Sequence, residues 1–315
     1  MSSSMIRVVP YQAKDKPLWD EFVARTKNGV FLFRRDYMEY HRDRFHDYSL
    51  LFFADEKLVA LMPANLTSDT LISHGGLTFG GVVSDERMKT PLMLEVFDAL
   101  CAHLQTGKIK KLIYKATPHI YHDLPAEEDL YALFRHGARL IGRGVSSAVH
   151  LPCPAPVSKD RKGRIKQGQK GGLEIGRSED YETFVAMVAQ VLSAKHGLKP
   201  VHTAAEMRLL AGHFPKNIKL FAASRNEQML AGVLVYESKN VAHAQYISST
   251  DEGKETGAPD LLLDHLITEY SSTKRYFDFG ISTEDNGWHL NTGLISNKEG
   301  FGARALLYDV YEMTP

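Results

Sequence analysis

The chain has little that would tie it to a secreted, membrane or metal-dependent role. Only Cys101 and Cys153 occur in 315 residues, too few for a disulfide framework or a thiolate zinc site and in keeping with a reducing, cytoplasmic setting. No run of about 18 uninterrupted apolar residues is present, and the opening MSSSMIRVVPYQAKDKPLW lacks the apolar core of a signal peptide. No membrane insertion is expected. Lys plus Arg number 38, as do Asp plus Glu, so no overall field favours DNA or an anionic membrane, and any basic surface must be local. The phosphate loop G-x-x-x-x-G-K-[ST], the zinc-protease H-E-x-x-H and the hydrolase elbow G-x-S-x-G are all missing. The fourteen histidines include HIYH at 119–122, but no second ligand set at a metal-like spacing, so no metal is expected.

What is present is enough apolar material, 43% of residues, for full cores in two domains. The order of elements predicts one α/β design used twice. SLLFFADE, KLVALMPANL, LISHGGLTFGGVV, a helix TPLMLEVFDALCAHL opened by Pro91, and KKLIYKA make the first set. IKLFAASRN, QMLAGVLVYES, VAHAQYISST, a helix APDLLLDHLITEY opened by Pro259, and KRYFDFG make the second. Proline suits the first turn of a helix, where its missing N–H leaves no bond unmade. The pseudo-repeat breaks near the proline-rich LPCPAPVSK, giving domains 1–156 and 157–315. A helix between the fourth and fifth strands of each set implies a parallel pair and a splay in the sheet, a common place for ligands.

Two loops and two motifs carry the chemistry. TDEGKETGAPDLLL sets Gly253, Lys254, Gly257 and Ala258 between a strand and a helix start, where free N–H groups and the helix dipole suit a pyrophosphate, although an ordinary turn has the same composition. SHGGLTFGG, residues 73–81, is the first-half counterpart of the HAQYIS strand. Its Gly75 and Gly76 permit close backbone approach beside His74 and Phe79, or simply build a bulge. KDRKGRIKQGQKGG has six basic residues between 159 and 170 against one acid, a phosphate contact or a solvated face. FDFGIST runs into a polar turn bearing Glu284, Asp285, Trp288 and His289, followed by GLISNKEGFG.

The strand, glycine-bearing loop, helix and strand around 241–280 resemble the acyl-CoA site of the GNAT acyltransferase superfamily, apart from its usual Q/R-x-x-G-x-G/A spacing. The basic run around Ile165 followed by Lys170 and Gly171-Gly172, together with FDFGIST…GLISNKEGFG, resembles the two signatures of FemAB-like tandem GNAT proteins. Lys162 and Lys166 stand where that family often has Arg, and Asn297 replaces an aromatic residue. The resemblance implies two GNAT-like mixed-sheet domains, the acceptor on the N-terminal side and acyl-CoA on the C-terminal side. It implies bacterial N-acyltransferases that join an acyl group from acyl-CoA, a co-substrate and no tightly bound cofactor, to the amine of a nucleotide-linked amino sugar for surface polysaccharide. The alternatives are an aminoacyl-tRNA-dependent FemAB-like enzyme of peptidoglycan synthesis and a non-catalytic RNA or nucleotide binder.

Acyl transfer needs a neutral amine, a donor for the oxyanion and a proton for the leaving thiolate. Asp278, Glu284, Asp285 and His289 are the candidate bases, with a structural role for Asp278 as the competing reading. Tyr246 is a candidate acid for the sulfur, and Lys298 matches the family's lysine. Tyr246, Ile247 and Ser248 are candidate donor contacts with the 253–258 loop. Acceptor candidates are Tyr37, His74, Gly75, Gly76, Phe79, Lys115, His119, Lys162 and Lys166.

Overall fold

The computed structural model describes residues 6–196 and 200–315. It divides into two compact units: Met1–Gly144 with Thr283–His289 and Leu307–Pro315, and Val145–Ser282 with Leu290–Leu306. The division falls at 144/145 rather than the expected 156/157. The terminal segment rejoins the first unit, because its apolar residues complete that unit's core: Met313 packs with Leu71, Leu112 and Tyr114.

In the first unit, β1 (Ile6–Pro10), β2 (Leu50–Ala54), β3 (Lys57–Met62) and β6 (Val83–Ser84) form one sheet in that order. The ladder β4 (Asn65–Thr67), β5 (Thr70–Ile72), β7 (Lys111–Lys115) and β16 (Arg304–Met313) forms another run, with β5 and β7 parallel. Helices α1 (Lys16–Ala24), α2 (Arg35–Met38), α3 (Thr90–Thr106) and α4 (Glu128–Arg135) accompany these strands. The α3 stripe Met93, Val96, Phe97, Leu100 and Leu104 recurs at three- and four-residue intervals, which puts these side chains on one buried face.

The second unit is built on the order β8 (Arg139–His150), β13 (Tyr276–Ile281), β12 (Val241–Ser249), β11 (Gln228–Glu237), β10 (Ile218–Arg225), β9 (Glu174–Ser178). Its helices are α5 (Lys159–Lys170), α6 (Tyr181–His196), α7 (Ala204–His213), α8 (Asp251–Thr256), α9 (Ala258–Tyr270) and α10 (Thr292–Glu299). β14 (Thr283–Glu284) and β15 (His289–Leu290) make a separate two-stranded ladder. Leu262, Leu263, Leu266 and Tyr270 of α9 pack on Val233, Val235, Ala244, Phe277 and Phe279. Each such side chain contributes roughly 1.5–3 kcal/mol on full burial, so this helix is fixed to the sheet by packing rather than by propensity.

The parallel pair expected across a helix is β12 with β13. Its ladder holds only Val241–Tyr276, Ala242–Phe277 and His243–Asp278, while β12 continues along β11 as far as Ser249. The sheet therefore forks after His243 and Asp278. Irregularities mark both arms: β12 bulges opposite Leu234/Val235, and the β13–β8 register shifts between Asp278 and Ile281. Gly280 sits in that shift with φ +78°, backbone that a side chain would strain.

Candidate functional site

A cavity of about 770 Å³ opens beside the fork, wholly within the second unit. Val191, Leu192, Ile247, Leu263, Phe279, Leu294 and Phe301 make its apolar wall, and Arg161, Arg164, Lys254 and Lys298 bring cations to it. One acid, Asp260, lies among them in the third position of α9, where a carboxylate complements the helix dipole. Arg161 pairs with Asp260, and Arg164 lies 3.6 Å from it. The excess of positive charge remains for an anionic ligand. In the same wall Ser248 is 5% exposed, and its buried hydroxyl has no hydrogen-bond partner among the described residues. A donor left unmade in this way costs about 1–3 kcal/mol, which marks it as a contact that a ligand's oxygen would complete.

The strand end is polar for a visible reason. Asp278 is fully buried; its Oδ1 accepts from Ser146 Oγ at 2.6 Å and from the Gly280 N–H at 3.0 Å, and its Oδ2 accepts from His243 Nδ1 at 2.9 Å. Lys298 Nζ donates to Gly280 O at 2.8 Å, Ile281 O at 2.9 Å and Ser282 Oγ at 2.9 Å. Burial lowers the Lys298 ammonium to about 8, and the nearby Asp278 charge opposes that fall. All three of its protons are thus engaged by the end of β13 and the residue after it, Ser282, so Lys298 fastens α10 to the strand end. Tyr246 O–H lies 2.9 Å from His202 Nδ1, and burial pushes the phenol up to about 12. It is therefore a weak acid at neutral pH, though still a hydrogen-bond donor.

Residues 158–288 match the family model for the acetyltransferase (GNAT) domain. The chain therefore carries a GNAT-type acetyltransferase domain. No curated protein matches the chain. Among solved structures, FemX aligns with 98% of this chain and 97% of its own at TM-score 0.68 and 11% identity. The L-PGS structure from Bacillus licheniformis aligns over 81% of each chain at TM-score 0.56 and 12% identity. A tandem GNAT protein of the clavulanic acid pathway covers 98% of each chain at TM-score 0.51 and 9% identity. At such identities the likeness speaks for the fold, two GNAT-like mixed sheets in one chain.

The cavity collects some of the sequence-predicted residues and leaves others apart. Ile247, Ser248, Lys254 and Lys298 line the cavity. Gly253, Gly257 and Ala258 do not; they serve close packing. A Cβ on Gly257 would meet Arg164 O at 2.5 Å, and Gly257 holds φ +77° at the N-cap of α9. Ala258 is fully buried in the core. The stretch expected to cradle a pyrophosphate is wound into α8, and Thr250 Oγ1 accepts from the Gly253 N–H at 2.9 Å. Lys162 and Lys166 point to solvent, while Arg161 and Arg164, on the other face of α5, reach the cavity. Glu284, Asp285 and His289 are exposed in the first unit's 283–289 segment and are absent from the cavity wall.

In the first unit, the acceptor candidates form packed structure. His74 is 3% exposed, stacks on His41 at 5.3 Å, and is driven by burial to about 3. The Gly75 N–H donates to Asn65 Oδ1 at 2.6 Å, and a Cβ on Gly76 would meet His41 Nε2 at 2.5 Å. Lys115 Nζ donates to the Leu77 and His74 carbonyls, and burial lowers it to about 8. Phe79 packs on Tyr121 at 4.5 Å, Tyr37 is buried against Phe31 and Tyr40, and His119 is exposed.

Sequence reasoning missed Arg161, Arg164, Ser146 and His243. A signal existed for the arginines: with Ser158 as N-cap, its oxygen accepting from the Arg161 N–H, residues 161, 164 and 168 fall on one helical stripe. Gly168 faces Gly257, where a Cβ would meet its carbonyl at 2.8 Å. His243 and Ser146 join Asp278 only through strand register, which the sequence does not display.

Proposed function

We propose that the protein transfers an acyl group from acyl-CoA to the amine of a nucleotide-linked amino sugar. The observation that carries the donor half is the cavity at the fork: an apolar wall for a pantetheine arm, cations for its phosphates, and the orphaned Ser248 hydroxyl for one of its oxygens. Arg161 and Arg164 offer forked donors to phosphate, which a lysine matches only as a point charge. The acceptor half rests on the sequence resemblance. Among the described residues no helix is long and apolar enough to cross a membrane.

One observation favours a different donor, the aminoacyl ester of a tRNA. The turn before α9 has spent its N–H groups in forming α8: the Lys254 N–H donates to Thr250 O at 3.0 Å and the Gly257 N–H to Lys254 O at 3.3 Å. A donor without a pyrophosphate has no need of them, and the full-length likeness to FemX agrees with this. Incubation with radiolabelled acetyl-CoA or with charged tRNA, each beside a panel of nucleotide amino sugars, separates the readings. Acid-stable label in a sugar amide from acetyl-CoA supports the proposal. Label transferred from charged tRNA alone replaces it with the second reading, and salt-sensitive nucleotide binding without any turnover replaces both with a binding role.

A further inference from the structure

His243 stands at the last paired position before the sheet forks, and its register partner in β13 is Asp278. Partners in a ladder share a face, and successive residues of a strand alternate faces. Phe279 looks into the cavity, so Asp278 and His243 look out on the opposite side of the sheet at the same point. A thioester carbonyl lodged in the fork would have the cavity behind it and the imidazole before it.

The imidazole is held as a base is held. Asp278 has both oxygens engaged, by Ser146 Oγ and the Gly280 N–H on one and by His243 Nδ1 on the other. The carboxylate can only accept, so Nδ1 carries a proton, and in the neutral imidazole this leaves the lone pair on Nε2. No hydrogen bond from Nε2 is seen among the described residues, and the side chain keeps 13% exposure. Asp278 itself is fully buried and cannot reach a substrate. Gly280 leaves room for the ring: a Cβ there would come 3.3 Å from His243 Cε1.

We infer that His243 is the general base of the acyl transfer and that Asp278, backed by Ser146, is its positioning residue. The inference rests on the acyl-transfer reading but not on the identity of the donor. As the neutral amine attacks, the N–C bond forms and one amine proton passes to Nε2. The acyl-to-donor bond then breaks, its electron pair leaves with the sulfur of CoA or the ribose oxygen of tRNA, and the imidazolium returns the proton to that leaving group through water. The titratable groups nearest His243 on the elements packed around it are Asp278 of β13, its cross-strand partner Tyr236 of β11, and Lys298 of α10, which is bonded to the Gly280 carbonyl.

Two measurements on the full chain test this. Long-range nitrogen–proton NMR, with the His243 signals assigned by their loss in His243→Gln, is expected to show Nδ1 protonated and Nε2 bare near neutral pH. Asp278→Asn and, more mildly, Ser146→Ala should weaken that tautomer preference. A proton resident on Nε2 overturns the inference whether or not a donor has been found. In steady-state kinetics with whichever of acetyl-CoA and charged tRNA the wild type uses, His243→Gln is expected to lower kcat by on the order of 10²-fold or more. Donor KM should be unchanged and the acidic limb of the pH–rate profile lost. Wild-type kcat in folded His243→Gln overturns the inference. Turnover with charged tRNA alone overturns only the acyl-CoA donor, since the ratio of variant to wild type is then read on tRNA.

Discussion

Replacing Ser248 by alanine is expected to make the empty protein more stable and the enzyme poorer. The Ser248 hydroxyl lies in the cavity wall, is buried, and finds no partner among the described residues. Its desolvation is uncompensated, a cost of about 1–3 kcal/mol, and alanine removes the group while keeping the β-carbon in place. A net gain of about 1 kcal/mol is expected, which for a unit of this size raises Tm by about 2–4 °C. In the complex the same hydroxyl gains a partner. Losing that hydrogen bond, about 1–1.5 kcal/mol, should raise the donor KM or Kd roughly 5–10-fold. Ser147 supplies the control: its hydroxyl is also buried and unpartnered, but it does not line the cavity. Ser147→Ala should therefore stabilise without touching donor affinity. Differential scanning calorimetry and isothermal titration with acetyl-CoA measure both effects. A lower Tm for Ser248→Ala, or equal donor affinity in both variants, would refute the assignment of this hydroxyl to the donor.

Lys298→Met should destabilise by removing three bonds that fasten the strand end, and the deficit should grow with alkalinity. With its folded value near 8 and lysine's usual value at 10.5, the unfolded chain binds more protons across that window, so Lys298 adds stability as pH rises through it; urea midpoints of wild type and variant that run parallel from pH 7.5 to 9.5 would contradict this. Gly168→Ala should cost about 1–3 kcal/mol, because its Cβ would meet both the Gly257 carbonyl and Leu261 Cβ at 2.8 Å; an unchanged unfolding midpoint would show that α5 is not seated on α9 as described. Neutralising Arg161 and Arg164 to Gln should weaken donor binding by an amount that shrinks with added salt, whereas Lys162 and Lys166, on the solvent side of α5, should tolerate the same change; the reverse order would return the phosphate contact to the lysines.

The fold was largely legible because its signals are local. The hairpins, the two proline-opened helices and the strands KKLIYKA and KRYFDFG follow from apolar runs and turn residues alone, and a helix between strands forces the parallel pairs β5–β7 and β12–β13. The site was legible only where it is continuous in sequence, as at Ile247-Ser248 and Lys298. The base candidates Glu284, Asp285 and His289 were read from polarity, which an exposed turn and a reactive strand end share. The Asp278–His243 pair depends on a three-residue ladder between strands 35 positions apart, information carried by register and not by composition. The glycine loop misled in an instructive way: Gly253 and Gly257 are required by backbone-to-backbone packing at Leu230 O and Arg164 O, a demand that produces the same residues as a phosphate cradle.

The central claim is that the second unit's cavity holds the acyl donor. A crystal structure with a non-hydrolysable thioether analogue of acetyl-CoA tests it most directly. The account predicts the pantetheine arm between Ile247-Ser248 and Phe279, with its phosphates against Arg161, Arg164 and Lys254. An analogue seated against residues 73–92 of the first unit, with the cavity empty, would contradict it.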